Sequence, residues 1–287
     1  MKVVIAGASG FIGGKLKQAL QQRGDQVVTV GRRGADVTWD ARSLPPGALD
    51  GASAVINLAG ANLAAQRWNE SFKKEILESR TLSTRAVVEA IRGAAQKPRV
   101  LVNASAVGFY GGRGDEVLDE SAAPGTDFLA GVVKAWEGEA QQAPVRSVQI
   151  RTGVVLDPRE GALAKMLPPF KAFVGGPIGN GKQWFPWIHI DDEVAAVLFC
   201  LDHEQLSGPV NLVAPGIATA GEFAKALGKA LHRPSWAPVP AAALKLLLGE
   251  FSSALTDGQR AVPKKLLDAG FQFRHGALAP ALGALFP

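Results

Sequence analysis

Gly7, Gly10 and Gly13 fall in the spacing G-x-x-G-x-x-G, directly after the β-branched run of KVVIAG. Between a strand and a helix, glycines so placed allow a tight turn, close approach of backbone to a pyrophosphate, and close helix–strand packing. The helix that follows presents N–H donors and the positive end of its dipole to an anion. Gly7, Ser9, Gly10, Phe11, Ile12 and Gly13 are therefore expected to form a dinucleotide-binding turn. The second strand ends VVTVGRRG, where an NAD-specific site carries an acid for the ribose 2′-OH. Arg32 and Arg33 stand there instead, and guanidinium groups suit a phosphate. The missing acid and the two arginines point to NADP(H) rather than NAD(H). The alternative is a pair of surface arginines in a loop.

Other residues could do chemistry at the same edge. The only tyrosine, Tyr110, lies in SAVGFYGG, after a strand that ends near Ser105. Such a Gly-rich loop sits at the carboxyl end of a sheet, where ligands bind. Tyr110 could line a pocket or, with the loop folded over a reacting ring, act as an acid. The plainer reading is an aromatic packed under the loop. Trp184, Trp187 and His189 lie in or beside the segment GNGKQWFPWIHI, which would close on a substrate, and His189 titrates near neutral pH. Lys182 and Gln183 could contact an acidic or hydroxylated substrate. The four histidines and the single Cys200 show no ligand spacing, so no metal is expected. Cys200, in VAAVLFC, reads as a small buried hydrophobe rather than a nucleophile.

Strands and helices alternate through the first half of the chain. KVVIAG, QVVTVG, ADVTW, SAVINLAG, RVLVNAS and VRSVQIRTGVVL read as strands; residues 11–24, 68–95 and 126–142 read as helices. That alternation predicts an α/β fold, a Rossmann-like doubly wound parallel sheet. Residues 171–187, rich in Gly and Pro, read as a loop with at most a turn of helix before it. Residues 188–203 start as a strand and become a helix capped near Asp191 or Asp192. PVNLV is a strand, and TAGEFAKALGKAL a helix with a capping box at Thr219 and Glu222. The expected organisation is a nucleotide-binding domain over 1–156, its sheet completed by about 187–213. A smaller α+β substrate lobe takes 157–186 and 214–287.

Bulk composition narrows the functional classes. The chain has 287 residues, 47% of them apolar and 20% charged, which suits a globular protein with a sizeable core. The net charge is +5, but KPR at 97–99 and PKK at 263–265 are short and lack interleaved aromatics. They read as solvated surface, and nucleic acid is not an expected partner. No apolar run is long enough for a membrane, and the N-terminus lacks a signal-peptide pattern, so the expected location is the cytoplasm. A monomer and a homodimer are both open.

GASGFIG, NLAG at 57–60, SAVG at 105–108, RTGVVL at 151–156 and WIHIDD at 187–192 resemble the extended short-chain dehydrogenase/reductase superfamily. NLAGANLAAQRW, GNGKQWFPWIHIDD and TDGQRAVPKKLLDAGFQF are similar to its atypical NAD(P)-dependent epimerase-family branch, which carries a C-terminal domain of unknown function. The resemblance implies a Rossmann domain with a small C-terminal lobe, and Leu58, Ala59 and Gly60 beside the cofactor. It matches Asp40 to an acid that touches the adenine amine, and it favours a structural role for His189. The superfamily works with a Ser or Thr and a Y-x-x-x-K pair on one helix face. Ser105 fits the serine position and Lys134 the lysine, but Ala130 stands where the tyrosine would be. Trp136, two residues on, is expected to face away from Lys134 into the core. The implied function is that of an NADP(H)-binding oxidoreductase or epimerase acting on a small carbonyl or nucleotide-sugar-like substrate, without that tyrosine. The rival is a non-catalytic NADPH sensor or interaction protein. A positioned acid is worth roughly 10²–10⁴-fold in rate, so its absence carries weight.

Overall fold

The computed structural model describes residues 1–286, apart from the side chains of Leu247 and Leu248; Pro287, at the end of the expected lobe, lies outside the described residues. The strands are β1 (Lys2–Ala6), β2 (Gln26–Gly31), β3 (Val37–Thr38), β4 (Ala54–Asn57), β5 (Val100–Ala106), β6 (Val117–Leu118), β7 (Arg146–Thr152), β8 (Val154–Leu156), β9 (Trp187–His189), β10 (Gly208–Leu212) and β11 (Arg260–Ala261). The helices are α1 (Phe11–Gln22), α2 (Glu70–Gly93), α3 (Phe128–Ala140), α4 (Gly161–Lys171), α5 (Ile190–Asp202), α6 (Ala220–Ala230), α7 (Ala241–Leu248), α8 (Ser253–Thr256), α9 (Lys264–Asp268) and α10 (Leu278–Leu285).

Seven strands form one parallel sheet in the order β10-β7-β5-β4-β1-β2-β3. Its order reverses between β1 and β4, which puts a ligand crevice at their carboxyl ends. The central strands are apolar on both faces because helices cover both. Val3, Ile5, Ile56, Val102 and Ile150 pack toward α1 and α5. Val4, Val55 and Leu101 pack toward α2. A further cluster under α4, α6 and α10 is built on Leu163, Leu167, Phe170, Trp187 and Phe223. No helix among the described residues is long and apolar enough to cross a membrane.

Four local expectations are corrected. The single strand expected over 145–156 breaks at Gly153, where a Cβ would lie 2.5 Å from the Pro186 carbonyl oxygen. Beyond the break, β8 leaves the main sheet and pairs with β9, so β10 completes the large sheet and β9 does not. Residues 161–171 form a three-turn helix rather than at most one turn, despite Pro168 and Pro169 within it. Leu163, Leu167 and Phe170, at i, i+4 and i+7, bury one face, and that packing outweighs propensity. Helix α5 is capped not by Asp191 or Asp192 but by the His189 ring, whose Nδ1 accepts from the Asp191 N–H at 3.1 Å. Asp192 instead accepts the Arg274 and His275 N–H groups at 2.9 and 2.8 Å, fastening the C-terminal segment to the helix.

Candidate cofactor crevice and substrate cavity

Gly7 ends β1 with φ +84°, a conformation open to glycine, and a Cβ there would meet the Leu58 carbonyl carbon at 2.9 Å. Gly13 lies in the first turn of α1, and a Cβ on it would fall 2.3 Å from the Gly7 oxygen. The helix therefore packs directly on the turn. Gly10 is different. It is the N-cap of α1, no side chain caps the helix, and an added Cβ would meet only the Gly7 oxygen, at 3.4 Å. Space beside Gly10 and uncapped N–H groups are what an anion requires. Ser9 is exposed at the same turn, while Phe11 and Ile12 pack on the core.

Asn57 shapes the neighbouring bend. Fully buried, it donates through Nδ2 to Asn103 Oδ1 at 2.7 Å and Thr84 Oγ1 at 3.0 Å, and its Oδ1 accepts from the Ala59 N–H at 3.2 Å. This holds Leu58, Ala59 and Gly60 against Gly7. Arg80 lies over Gly60, donates to the Ala61 and Ile76 carbonyls at 3.0 Å each, and stacks on Trp136. It has no carboxylate partner among the described residues, and burial lowers its pKa to about 10.

At the end of β2, Arg32 and Arg33 are exposed and make no ion pair or side-chain hydrogen bond with the described residues. Asp36, the acid nearest them in sequence, is engaged by Thr29, whose N–H and Oγ1 donate to it at 2.8 and 2.7 Å, which lowers its pKa. Exposed Asp40 holds its own turn, with Oδ1 accepting from the Arg42 and Ser43 N–H groups at 2.8 and 2.9 Å.

The residues matched to catalysis by resemblance have other occupations. Ser105 Oγ donates to Glu137 Oε1 at 2.6 Å, and Arg151 grips both oxygens of Glu137 at 2.8 Å. Arg151 also donates to Tyr110 Oη at 3.0 Å and lies 3.5 Å from the centre of the Phe109 ring. Tyr110 is 0% exposed and donates to Asn211 Oδ1 at 2.7 Å; the Asn211 N–H donates to Glu120 at 3.0 Å. Burial works against the Arg151 cation, yet hydrogen bonds to Glu137 and its charge lift the pKa above the ordinary value. Burial pushes Tyr110 up to about 12. Of the two sequence readings of Tyr110, a displaced acid and an aromatic packed under the loop, its burial fits the second and not the first: Tyr110 is a member of a closed polar network that ties β5, β7, β10 and α3 together.

Lys134 lies off the buried face of α3. On α3 the buried residues include Ala130, Val133, Trp136 and Glu137, whereas Lys134 is exposed and unpaired among the described residues. Leu129 faces the cavity described next, and Val133, one turn on, is buried. Trp136 is in the core as expected, its Nε1 donating to Thr84 Oγ1 at 2.9 Å.

A cavity of about 430 Å³ opens where the sheet meets α4, α6 and α7. Its sheet side is Ala106–Gly108 and Thr152–Val154; its far wall includes Met166, Phe170, Phe185 and Phe223. Trp184 lines it, with its Nε1 donating to Asp115 at 2.9 Å. Two other substrate candidates do not line it. Trp187 is buried in the lobe core and donates to the Gly216 carbonyl at 2.9 Å. His189 is buried, capping α5 and stacked on His275 with ring centres 3.7 Å apart. Sequence spacing gave no sign that His189, Asp191 and His275 gather, their potential ligand atoms within 4.8 Å of one another; the His189 Nδ1 lone pair is already engaged as the helix cap.

Sequence reading missed one pair. Thr152 is the only hydroxyl-bearing residue lining the cavity, and its Oγ1 lies 2.9 Å from Oε1 of Glu193. Glu193 is 0% exposed, its Oε2 has no partner, and burial raises its pKa to about 8. A carboxyl group in that state is neutral at pH 7 and can donate a proton. Only the glutamate inside IHIDDEVAAVLFC, directly before the apolar run VAAVLFC, could have flagged it. Cys200, on the same helix, is buried, and burial pushes its thiol up to about 12.

Residues 3–213 match the NAD dependent epimerase/dehydratase family, and residues 239–285 match a domain of unknown function, DUF1731. Epimerase family protein ML0860 of Mycobacterium leprae is 41% identical over 290 residues, covering 98% of this chain and 94% of the relative. Human epimerase family protein SDR39U1, whose crystal structure contains NADPH, superposes with a TM-score of 0.93 at 38% identity, over 99% of both chains. A Corynebacterium glutamicum protein described as a nucleoside-diphosphate sugar epimerase superposes at 0.81 with 33% identity, over 100% of this chain and 58% of that one. With a parallel sheet in this order, a glycine turn at its switch point and matches spanning nearly its whole length, the chain belongs to the NAD dependent epimerase/dehydratase family.

Proposed function

We propose that the chain binds NADP(H) and reduces a small carbonyl compound. The carrying observation is the pairing of an uncapped helix N-terminus at Gly10 with the unpaired guanidiniums of Arg32 and Arg33 on the adjacent strand end. In this reading the turn from Gly7 to Gly13 holds the pyrophosphate and the two arginines the 2′-phosphate. Asp40 faces the adenine, and Leu58, Ala59 and Gly60 flank the middle of the cofactor. The NADPH found in the human relative supports the choice of nucleotide. The fit is steric as well: room remains beside Gly10, where a Cβ would intrude.

Bound NADPH would supply a hydride; the protein must supply a proton. Ser105 and Tyr110 are committed to the closed network around Arg151, and Ala130 offers no proton. Thr152 Oγ1 is the candidate donor at the cavity wall, and its hydroxyl donates to Glu193 Oε1 at rest. On reaction the bond would reverse, the neutral Glu193 carboxyl giving its proton to Oγ1 as Oγ1 gives its own to the substrate oxygen. That leaves Glu193 a carboxylate to be reprotonated before the next turnover. Glu193 acts only through Thr152 and is a positioning residue. The test follows NADPH absorbance with a panel of aldehydes and ketones. Turnover that falls about 10²-fold or more in Thr152→Val, and less in Thr152→Ser, supports the reading. Equal turnover in Thr152→Val removes Thr152 from the chemistry.

One observation favours a second reading, an NADPH-binding sensor: Ala130, which stands where the resemblance would put a tyrosine, is a buried residue of α3 with no proton to give. Tight NADPH binding with no turnover on any carbonyl would select it. We expect residence in the cytoplasm on the sequence reading, although one plant relative, 40% identical, is named as chloroplastic.

A further inference from the structure

The cavity points to the class of molecule that occupies it, an inference that rests on the carbonyl-reductase reading and sharpens it. At about 430 Å³ the cavity falls within the range of small-molecule sites, roughly 300–1,000 Å³. Its walls are Leu129, Met166, Phe170, Phe185, Phe223 and Leu244, drawn from α3, α4, α6, α7 and the segment before β9. Charge is nearly absent. Lys165, exposed on α4, is the only charged residue among those lining the cavity. The Trp184 indole N–H is already bonded to Asp115, and Thr152 and Gln259 are the other polar side chains.

A nucleoside diphosphate brings two phosphate groups, which need several cations or N–H donors when taken out of water. One ammonium at the edge does not meet that demand. An alkyl or aryl chain gains instead from each carbon it buries on these walls. We propose that the substrate is an apolar carbonyl compound, its oxygen at Thr152 and its hydrocarbon body against Phe170 and Phe223, and that a nucleotide sugar is not bound.

The experiment is calorimetric titration of the protein loaded with NADP+, which cannot reduce them, with straight-chain methyl ketones from butanone to decanone, and separately with UDP-glucose; NADPH absorbance with the same ketones is followed in parallel. The expected result is affinity rising about fourfold per added methylene, from about 0.8 kcal/mol each, until the cavity is filled, with no heat from UDP-glucose. Ala162→Trp, on the half-buried face of α4 that lines the cavity, should stop the rise at a shorter chain. Ala224→Leu on α6 serves the same end if that variant does not fold. Affinity independent of chain length, no heat from any ketone, or tighter binding of UDP-glucose would overturn the proposal. Ketones that bind in the expected series while NADPH stays unoxidised would leave the ligand class standing and refute hydride transfer to it.

Discussion

Glu193→Gln should flatten the pH dependence of folding stability. The carboxyl group is 0% exposed and its one hydrogen-bond partner is Thr152 Oγ1. Burial raises its pKa from an ordinary 4.5 to about 8 in the fold. The folded state therefore holds a proton that the unfolded chain releases. Its contribution to stability is complete below pH 4.5 and is lost as pH rises through about 8. At about 1.36 kcal/mol per pH unit, that interval corresponds to about 5 kcal/mol. Glutamine stays neutral at every pH and keeps an oxygen for the Thr152 hydroxyl. His189 titrates nearby with the opposite sign: burial and then the neighbouring His275 lower its pKa, so its contribution is lost as pH falls. It does so in both proteins and cancels in the difference. Urea unfolding of both proteins across this pH range measures the effect. The wild type should lose several kcal/mol relative to Glu193→Gln from the acid to the alkaline end. Parallel curves would refute a protonated Glu193 and, with it, the proton source assigned to Thr152.

Four other substitutions separate structure from binding. Gly13→Ala puts a Cβ 2.3 Å from the Gly7 oxygen and should cost about 1–3 kcal/mol in a melt, whereas Gly10→Ala, at 3.4 Å, should fold normally yet weaken NADPH in a fluorescence titration. Tyr110→Phe should destabilise by about 1–3 kcal/mol, because Arg151 and Asn211 each lose a buried partner, with NADPH affinity unchanged. Lys134→Ala should change stability by less than about 0.5 kcal/mol and leave NADPH affinity alone; a marked loss of affinity would restore its role at the cofactor.

The parallel sheet and its glycine turn were legible because their signals are local. A β-branched run, three glycines at fixed spacing and a helix sit within the first 22 residues. The two arginines were legible for the same reason, one strand later. The site's other half depends on distance and register. Ser105, Glu137, Arg151 and Asn211 meet only because β5, β7, β10 and α3 pack together. The cavity joins residues as far apart as Leu63 and Gln259, so its apolar character had no sequence signature. Pro168 and Pro169 argued against a helix that its buried face nonetheless secures.

In the proposed reading the cofactor site consists of a place for a pyrophosphate at the Gly10 helix end and a place for a third phosphate at Arg32 and Arg33. Titrating NADPH and NADH into the wild type and into the Arg32→Ala/Arg33→Ala double variant tests it most directly. The wild type should prefer NADPH; the double variant should lose about 10- to 100-fold in NADPH affinity, from about 1.5–3 kcal/mol of charge-assisted hydrogen bonding, while NADH affinity stays the same. Tighter binding of NADH by the wild type, or an NADPH affinity untouched by the double substitution, would contradict it.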